Sequence, residues 1–512
     1  MKKLMALCLC LLLGLTPVLS MAESADSLFN PADPYTLQLF VDWTWMDYDT
    51  FEGGICQDFM REKTGLTIDM IKATDSEQLN LMIASGELPD LVVCSSSSKI
   101  TKLSDSDLCY PLQELIDKYV PQWQVPDVEK KLNAYFSDDG NYYMLKNEFN
   151  TAEEIKAATN LGTNFGQFHI RNDIYQALGA PAVKTKDDFF ALLKLVKEKY
   201  PDMQPLVFNP REYSAFGSLV GYDTVRPTDE NGNLVFNISD PTYRAMLLSM
   251  NELYRAGYIS KENFSYNSDE QTFQSLYAGK TFMVTHYAGN DEQTFTAKVR
   301  AAVPEAEIVQ LPLLDNWKYT IPVSGWAALF ITRNCSDPER AIKMLYWAKQ
   351  KDNSVSLTYG YKGIDWDYDE TGNIVTLDRY NQSNANGSIS VDYKGMAFSL
   401  SADNYITIYN GYYAAATPAT RAIQDEVIKR ASISNAIDLA YPKAGTDLRY
   451  AYDDLNNLES EYFSKLCLAE SEEAFNALYD EMVAEAEKIG LTAVNEYLST
   501  TYKDVCTMLG CE

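Results

Sequence analysis

The fold is indicated most clearly by residues 168–201, FHIRNDIYQALGAPAVKTKDDFFALLKLVKEKYP. The segment opens with an apolar run typical of a strand, followed by a short helical pattern and a loop. Thr185 stands where a helix begins, because its hydroxyl and the carboxylate of Asp188 can each accept a hydrogen bond from a free N–H of the first turn. Apolar residues then recur at the spacing of one helix face: Phe189, Leu192, Leu193 and Val196. The pattern predicts a strand and a helix of an α/β protein.

The first hundred residues show the same alternation. Strands are predicted at Tyr35–Val41, 66–70 and 91–94, and helices at 50–63 and 75–84. Strands that alternate with helices in this way predict a mostly parallel sheet covered by helices.

A second set of alternating elements begins at Phe165. Helix starts are predicted at Asp240-Pro241 and Asp337-Pro338, with Asp at the N-cap and Pro in the first turn. No repeat or low-complexity linker separates the two sets, so we expect two interwoven lobes with several crossings between them. The predicted boundaries are 23–160 with 313–350 for lobe 1, and 161–312 with 351–512 for lobe 2.

Composition excludes several classes of partner. The 512 residues include 43 Lys and Arg against 72 Asp and Glu, a net charge of −29. Nucleic acids and anionic lipids are therefore not expected as partners, because binding phosphate groups requires clustered basic residues.

The first 22 residues predict a cleaved signal peptide. Met1-Lys2-Lys3 is a basic start, residues 4–15 are an apolar run too short to remain as a membrane helix, and Ser20-Met21-Ala22 is a small-x-small site. The protein is therefore expected to be exported. Seven scattered cysteines follow, an odd number that does not form a disulfide framework. Separate thiols are expected, and the alternatives are one bridge, Cys94–Cys109 or Cys506–Cys511.

Several segments, in order along the chain, carry a resemblance to a known family. They are residues 59–68, 85–93, 168–201, 239–257, 359–366 and 486–502. Their order resembles that of the family 1 extracellular solute-binding proteins, and more narrowly the large lipoprotein-type members that serve carbohydrate ABC importers. One departure is that neither Cys8 nor Cys10 follows a small residue, so the lipidation box of that subgroup is not matched.

The resemblance implies a periplasmic-binding-protein-like fold with two lobes and a hinged cleft. It implies a monomeric receptor, not an enzyme, that captures a carbohydrate and delivers it to the permease subunits of an ABC transporter. No cofactor and no metal are expected.

A sugar-binding cleft requires aromatic platforms and planar polar groups, which lie at the carboxyl ends of strands in an α/β protein. Trp43 and Trp45 follow the first predicted strand, with packing between the lobes as the alternative to ligand contact. For His286 the alternative to a ligand contact is a hydrogen-bonded residue at the rim, and for Arg171 it is a structural ion pair. The resemblance adds Tyr287 as a cleft aromatic. The complete set of candidates is Asp42, Trp43, Trp45, Ser95, Asn164, Phe165, Arg171, His286, Tyr287, Asn290, Trp326 and Trp366.

Catalytic and metal signatures are weak. No GxSxG, HExxH or glycine-rich phosphate loop occurs in the sequence. Asp365, Asp367 and Asp369 alternate as in a calcium loop, but Glu370 and Thr376 occupy the positions that require Gly and Glu. Two alternative functions stay open. One is a secreted glycan-degrading enzyme, which needs only two suitably placed carboxylates, and the other is a receptor for a non-sugar solute such as a peptide.

Overall fold

The computed structural model describes residues 25–510 apart from 267, 288–290, 387 and 444. The predicted signal peptide, the candidate Asn290 and Cys511 lie outside the described residues. The strands are β1 (Tyr35–Val41), β2 (Leu66–Lys72), β3 (Leu91–Cys94), β4 (Met144–Lys146), β5 (Gly166–Arg171), β6 (Gln204–Val207), β7 (Thr281–Tyr287), β8 (Ile308–Gln310), β9 (Thr320–Pro322), β10 (Ala328–Ile331), β11 (Trp366–Tyr368), β12 (Ile374–Thr376) and β13 (Ser432–Ser434).

Helices surround these strands. They are α1 (Ile55–Thr64), α2 (Gln78–Ser85), α3 (Ser97–Leu103), α4 (Leu112–Tyr119), α5 (Asp127–Ala134), α6 (Ala152–Ala157), α7 (Asn172–Ala177), α8 (Lys186–Lys199), α9 (Pro241–Arg255), α10 (Asp269–Tyr277), α11 (Asp291–Val299), α12 (Pro338–Ala348), α13 (Lys351–Tyr359), α14 (Asp378–Ala385), α15 (Ile389–Asp392), α16 (Tyr405–Ala415), α17 (Pro418–Arg430), α18 (Asp447–Cys467), α19 (Glu472–Ile489) and α20 (Leu491–Leu509). Short 3-10 segments are Ala25–Leu28, Pro210–Leu219, Asn237–Ser239, Lys261–Ser265 and Ile437–Leu439. None of the described helices has the length and apolar character needed to cross a membrane.

Helix α8 confirms the prediction made from residues 168–201. The Thr185 hydroxyl accepts a hydrogen bond from the N–H of Asp188 at 3.2 Å, and the Asp188 carboxylate accepts one from the N–H of Thr185 at 3.0 Å. This reciprocal cap satisfies two backbone donors that a helix start leaves free. The predicted apolar face is buried: Phe189, Leu192, Leu193 and Val196.

The strands form two principal sheets, one in each lobe. The first sheet has the order β2-β1-β3-β10-β4, and the second has the order β6-β7-β5-β8. Strands β1, β2 and β3 are parallel, as the alternation in the sequence predicts. Strand β10 is antiparallel to both of its neighbours, and β5 is antiparallel to β7 and β8. The prediction of parallel pairing is therefore confirmed for these three strands, and β6 and β7 are parallel as well. In these two sheets the antiparallel pairs are those that involve β5 and β10.

The crossings between lobes explain the antiparallel pairs. Both β5 and β10 are the strands by which the chain enters a sheet from the other lobe. Such a strand starts at the edge of the sheet that faces the other lobe and runs away from it, whereas β1 and β3 run toward that edge. The chain ends of β1, β3, β4 and β7 and the starts of β5 and β10 therefore meet at one cleft.

Three segments connect the lobes, namely residues 147–165, 311–327 and 403–436. They pack on one another in a small core of their own: Ile155, Leu161, Ile321, Val323 and Tyr405. Strands β9 and β13 pair in parallel within these segments. The three segments of the chain thus form one packed connection, as the expectation of interwoven lobes requires.

The lobe boundaries predicted from the sequence remain a prediction, and the packing favours one change to them. Leu357, Tyr393 and Met396 belong to the core of the first sheet, together with Leu37 and Leu329. We therefore propose that the segment from α13 to residue 402 belongs to the first lobe, and that the second lobe resumes after the third crossing.

Candidate functional site

A cavity of about 350 Å³ lies between the cleft edge of the first sheet and the segments that cross between the lobes. The first lobe contributes Ser95 and Lys146, at the ends of β3 and β4, and Glu148 follows in the first crossing segment. The crossing segments contribute most of the remaining wall: Asn164, Tyr319, Gly325, Trp326, Tyr405 and Tyr409. The cavity has the size of a small-molecule site and combines aromatic with polar side chains. Three residues predicted from the sequence, Ser95, Asn164 and Trp326, meet in it.

Three tryptophans form a stack beside the cavity. Trp43 is only 3% exposed, and its ring centroid lies 5.5 Å from that of Trp45 and 5.0 Å from that of Trp326. Its indole N–H donates to the Ser95 hydroxyl at 3.3 Å. Trp45 and Trp326 are 60% and 38% exposed. Trp43 therefore has the predicted packing role, whereas the predicted ligand contact of Trp45 and Trp326 stays a prediction, and both side chains keep exposed surface.

The loop before β10 fixes the position of Trp326. The Asn147 side-chain oxygen accepts from the backbone N–H groups of Trp326 and Ala327, at 3.2 and 2.8 Å. The Trp326 indole N–H donates to the Glu148 carboxylate at 2.8 Å. Gly325 has a φ of +78°, and a side chain there would collide with the Asn147 carbonyl oxygen, so this turn requires glycine. The ring is thus oriented by contacts on both its backbone and its edge.

Burial alters the charges at this wall. It raises the pKa of the Glu148 carboxyl, and the hydrogen bond from Trp326 partly opposes that rise. Burial also lowers the pKa of the Lys146 ammonium group, and the nearby carboxylate of Asp438 acts in the opposite direction. Both charges are therefore poorly solvated, which favours a ligand that offers hydrogen-bonding groups to them.

A group of tyrosines closes the opposite wall. Tyr405 and Tyr409 on α16 stack with their ring centroids 4.1 Å apart. The Tyr405 hydroxyl lies 2.5 Å from the Thr163 hydroxyl, and the Tyr319 hydroxyl donates to the Asn164 carbonyl at 3.1 Å. Burial raises the pKa of the Tyr319 and Tyr405 phenols, so both are neutral at physiological pH. They line the cavity with ring faces and uncharged hydroxyls.

Asp42 reaches the cleft edge but is engaged in an ion pair. Its two carboxylate oxygens accept from the Lys99 ammonium group at 2.9 and 2.8 Å, and the side chains are 4% and 10% exposed. Burial raises the pKa of the Asp42 carboxyl, while Lys99 lowers it. The same ammonium group donates to the Ser76 carbonyl at 2.7 Å. Asp42 therefore anchors the loop that carries the tryptophans.

Two predicted residues lie at the cleft edge of the second lobe. Tyr287 ends β7 and is 42% exposed. The His286 Nδ1 atom lies 3.0 Å from a carboxylate oxygen of Glu212, which agrees with a hydrogen-bonded residue at the rim. Glu212, Asp269 and His286 form a group of possible metal ligands, whose side-chain oxygen and nitrogen atoms lie within 4.8 Å of one another. Asp269, at the start of α10, is exposed.

The structure does not bring the three other candidates into the cavity. Phe165 is 2% exposed and packs against Trp317 with a centroid separation of 5.4 Å. Arg171 is 3% exposed and forms an ion pair with Asp173. Trp366 is fully buried, and its indole N–H donates to the Gly360 carbonyl at 3.0 Å. These side chains serve packing or local pairing.

Two of the three alternating aspartates, Asp365 and Asp369, each bind a different set of neighbouring groups. The Asp369 carboxylate accepts from the backbone N–H groups of Thr371 and Asn373 at 2.8 and 2.9 Å, and these hydrogen bonds help to lower its pKa to about 2. Asp365 pairs with Arg379 and accepts a hydrogen bond from the Tyr393 hydroxyl. Within the described part of the chain, these aspartates are not brought together as calcium ligands.

The described cysteines also agree with the prediction of separate thiols. Cys94 and Cys109 are buried free thiols, and the alternative bridge Cys506–Cys511 involves Cys511, which lies outside the described residues. Burial raises the pKa of the Cys94 and Cys109 thiols, so both remain protonated.

Sequence reasoning missed Glu148, Tyr319, Tyr405 and Tyr409. The pair Tyr405 and Tyr409 has the i, i+4 spacing of one helix face, which by itself predicts a core position. Glu148 follows a strand of only three residues, which gave no sequence signal.

Comparisons with known proteins agree on the family and the fold. A model of the bacterial extracellular solute-binding protein family matches residues 42–354. The lipoprotein LipO of Bacillus subtilis is 23% identical over 378 residues, which cover 67% of this chain and 69% of that protein.

Two solved structures resemble nearly the whole chain. The alginate-binding protein AlgQ2, without calcium ion, has a TM-score of 0.67 at 18% identity, with coverage of 94% of this chain and 100% of its own. An HMO-binding, ABC-transporter-associated solute-binding protein of Bifidobacterium longum infantis has a TM-score of 0.66 at 15% identity, with coverage of 93% and 99%. These likenesses confirm the predicted two-lobed α/β fold.

Proposed function

The chain belongs to the bacterial extracellular solute-binding protein family, and from this premise we propose that it is a receptor for an oligosaccharide. The ligand occupies the cavity between the lobes and is delivered to the permease subunits of an ABC transporter. The receptor acts as a monomer and has no catalytic role. The structural neighbours that are described as binding alginate and HMO support this choice of ligand class.

One observation carries the proposal. Trp45 and Trp326 are 60% and 38% exposed at the cleft, and both pack against the buried ring of Trp43. Exposed indole rings are unfavourable in water unless something covers them, and the C–H faces of a sugar ring provide a suitable cover. The Glu148 carboxylate, at the edge of Trp326, offers a hydrogen-bond acceptor for sugar hydroxyls.

Hinge closure follows from the arrangement of the crossings. Trp45 follows a strand of the first lobe and Trp326 lies near the end of the crossing that leads into that lobe, whereas Tyr287 lies at the end of a strand of the second lobe. A ligand that contacts both sides stabilises the closed state by the difference in its affinity for the two states. The small core of the three crossing segments is the hinge about which the lobes move.

The test is calorimetric titration of the mature chain with gluco-, xylo-, manno- and fructo-oligosaccharides, with analysis of the sugars after prolonged incubation. We expect saturable binding of at least one series and recovery of the sugar unchanged. Trp326→Ala is expected to weaken binding about tenfold, because one central aromatic contact is lost.

Trp123→Ala is the matched control, since Trp123 packs against Tyr346 in the first lobe and does not line the cavity. Equal losses in the two variants would argue against the site. Cleavage of a bound glycan would support the enzyme alternative. Binding of peptides without any binding of sugars would support the non-sugar receptor.

A further inference from the structure

A second cavity, of about 520 Å³, lies on the far side of the α16 tyrosines. It is formed where α13, β12, α14 and α16 meet. Three tyrosines and three other polar residues contribute to its wall: Tyr359, Tyr380, Tyr412, Thr358, Thr376 and Asn384. The described residues that line it carry no charged side chain. In this respect it differs from the interlobe cavity, which contains Lys146 and Glu148.

Helix α16 joins the two cavities. Tyr409 lines the interlobe cavity and Tyr412 lines the second cavity, and their ring centroids are 5.4 Å apart at an angle of 74°. Tyr405 stacks on the other side of Tyr409. Positions three and four apart on a helix are neighbours on its surface, so the three rings form a path of ring contacts that links a wall of one cavity to a wall of the other.

The floor of the second cavity depends on the close approach of Tyr359 to the backbone of Gly411 in α16. A side chain at Gly411 would lie 2.7 Å from the Tyr359 hydroxyl oxygen, which shows that glycine leaves the space that this tyrosine occupies. The Tyr359 and Tyr380 rings meet edge to face at 5.2 Å. Tyr412 is 46% exposed at the rim. The cavity therefore has a fixed aromatic floor and an exposed aromatic rim.

We propose that this second cavity is a further carbohydrate subsite. It holds the uncharged sugar units of an oligosaccharide that extend out of the interlobe cavity, and the chain of the ligand passes over Tyr409 and Tyr412. The inference rests on the proposed function. Aromatic rings with neutral amide and hydroxyl groups match the C–H faces and hydroxyls of a neutral sugar, and the ring path provides continuity with the first cavity.

The test compares wild type and Tyr412→Ala by calorimetry over the oligosaccharide series that the wild type binds, from disaccharide to octasaccharide. We expect similar affinities of the two proteins for the shortest ligands. For the longest, Tyr412→Ala is expected to bind about tenfold more weakly, because one stacking contact is lost. Tyr412→Phe keeps the ring and is expected to restore most of that affinity.

Tyr450→Ala is the control, because Tyr450 is 61% exposed on α18, outside both cavities. Equal affinities of wild type and Tyr412→Ala at every length would overturn the subsite and leave the receptor function intact. An equal loss at every length would also overturn it, since Tyr412 would then belong to the first cavity. Absence of any sugar binding by the wild type would overturn the proposed function and the subsite with it.

Discussion

The sequence pair Asp-Trp occurs in two regions of this molecule, with similar local structure but different surroundings. At Asp365-Trp366 the indole ring is fully buried, and the carboxylate pairs with Arg379. At Asp42-Trp43 the carboxylate is also paired, but the ring supports Trp45, which is 60% exposed. The difference teaches that a candidate ligand surface is identified by the aromatic side chains that stay exposed once the neighbouring polar groups have formed their ion pairs and hydrogen bonds.

The largest effect is expected from Trp366→Ala, which tests the buried region. Removal of a fully buried indole from the cluster with Val355 and Ile374 should lower the free energy of unfolding by about 4 kcal/mol. Urea denaturation measures this change. The affinity of the folded variant for sugar is expected to remain that of the wild type. A loss of affinity without a loss of stability would instead place Trp366 at the ligand site.

A smaller effect is expected from Asp403, whose carboxylate contrasts with the fully paired Asp365. One oxygen of Asp403 is buried without a hydrogen-bond partner. Burial raises its pKa from 3.8 to about 7, and the negative charge of Glu148 acts in the same direction. A raised pKa means that the unfolded chain releases this proton at lower pH than the folded protein does, so stability falls as pH rises from about 4 to about 7.

We therefore expect the wild type to lose roughly 2 kcal/mol of unfolding free energy between pH 5 and pH 8 through this group. Asp403→Asn, which stays neutral, should remove that part of the dependence. Denaturation at a series of pH values measures both proteins. Identical pH profiles would show that Asp403 does not titrate in this range.

The smallest effect on stability is expected from Trp45→Ala, which tests the open region. Its ring is largely exposed, so the free energy of unfolding should change by no more than about 0.5 kcal/mol. Affinity for the sugar should nevertheless fall severalfold, because a stacking surface is lost. Thermal denaturation and calorimetry on one sample give both values. A stable variant with full affinity would remove Trp45 from the site.

Local features of this chain could be predicted from its sequence, because neighbouring residues determine them. The reciprocal cap of Thr185 and Asp188 and the Asp-Pro helix starts formed as expected. The directions of β5 and β10 could not be predicted, because they depend on where the chain crosses between lobes. For the same reason the sequence could not predict that Trp366 is buried and Trp326 is partly exposed. Each follows a loop, and only tertiary packing determines which ring is covered.

The interlobe cavity was predicted only in part for the same reason. Ser95, Asn164 and Trp326 lie next to strand ends, which sequence patterns locate. Tyr405 and Tyr409 lie on a helix that crosses between lobes, and their spacing is that of an ordinary core face. Their exposure to a cavity results from the packing of three distant segments.

The three crossings also determine when this chain can complete its folding during export. The first sheet lacks β10 until residue 331 has emerged, and its core lacks Met396 until later still. The Tyr35 and Ser336 hydroxyls lie 2.7 Å apart although 301 positions separate them. The core of the second lobe includes residues of α18, α19 and α20, so it is incomplete until the end of the chain has emerged. A polypeptide that leaves the cell amino terminus first therefore has no complete core in either lobe until most of its residues are outside.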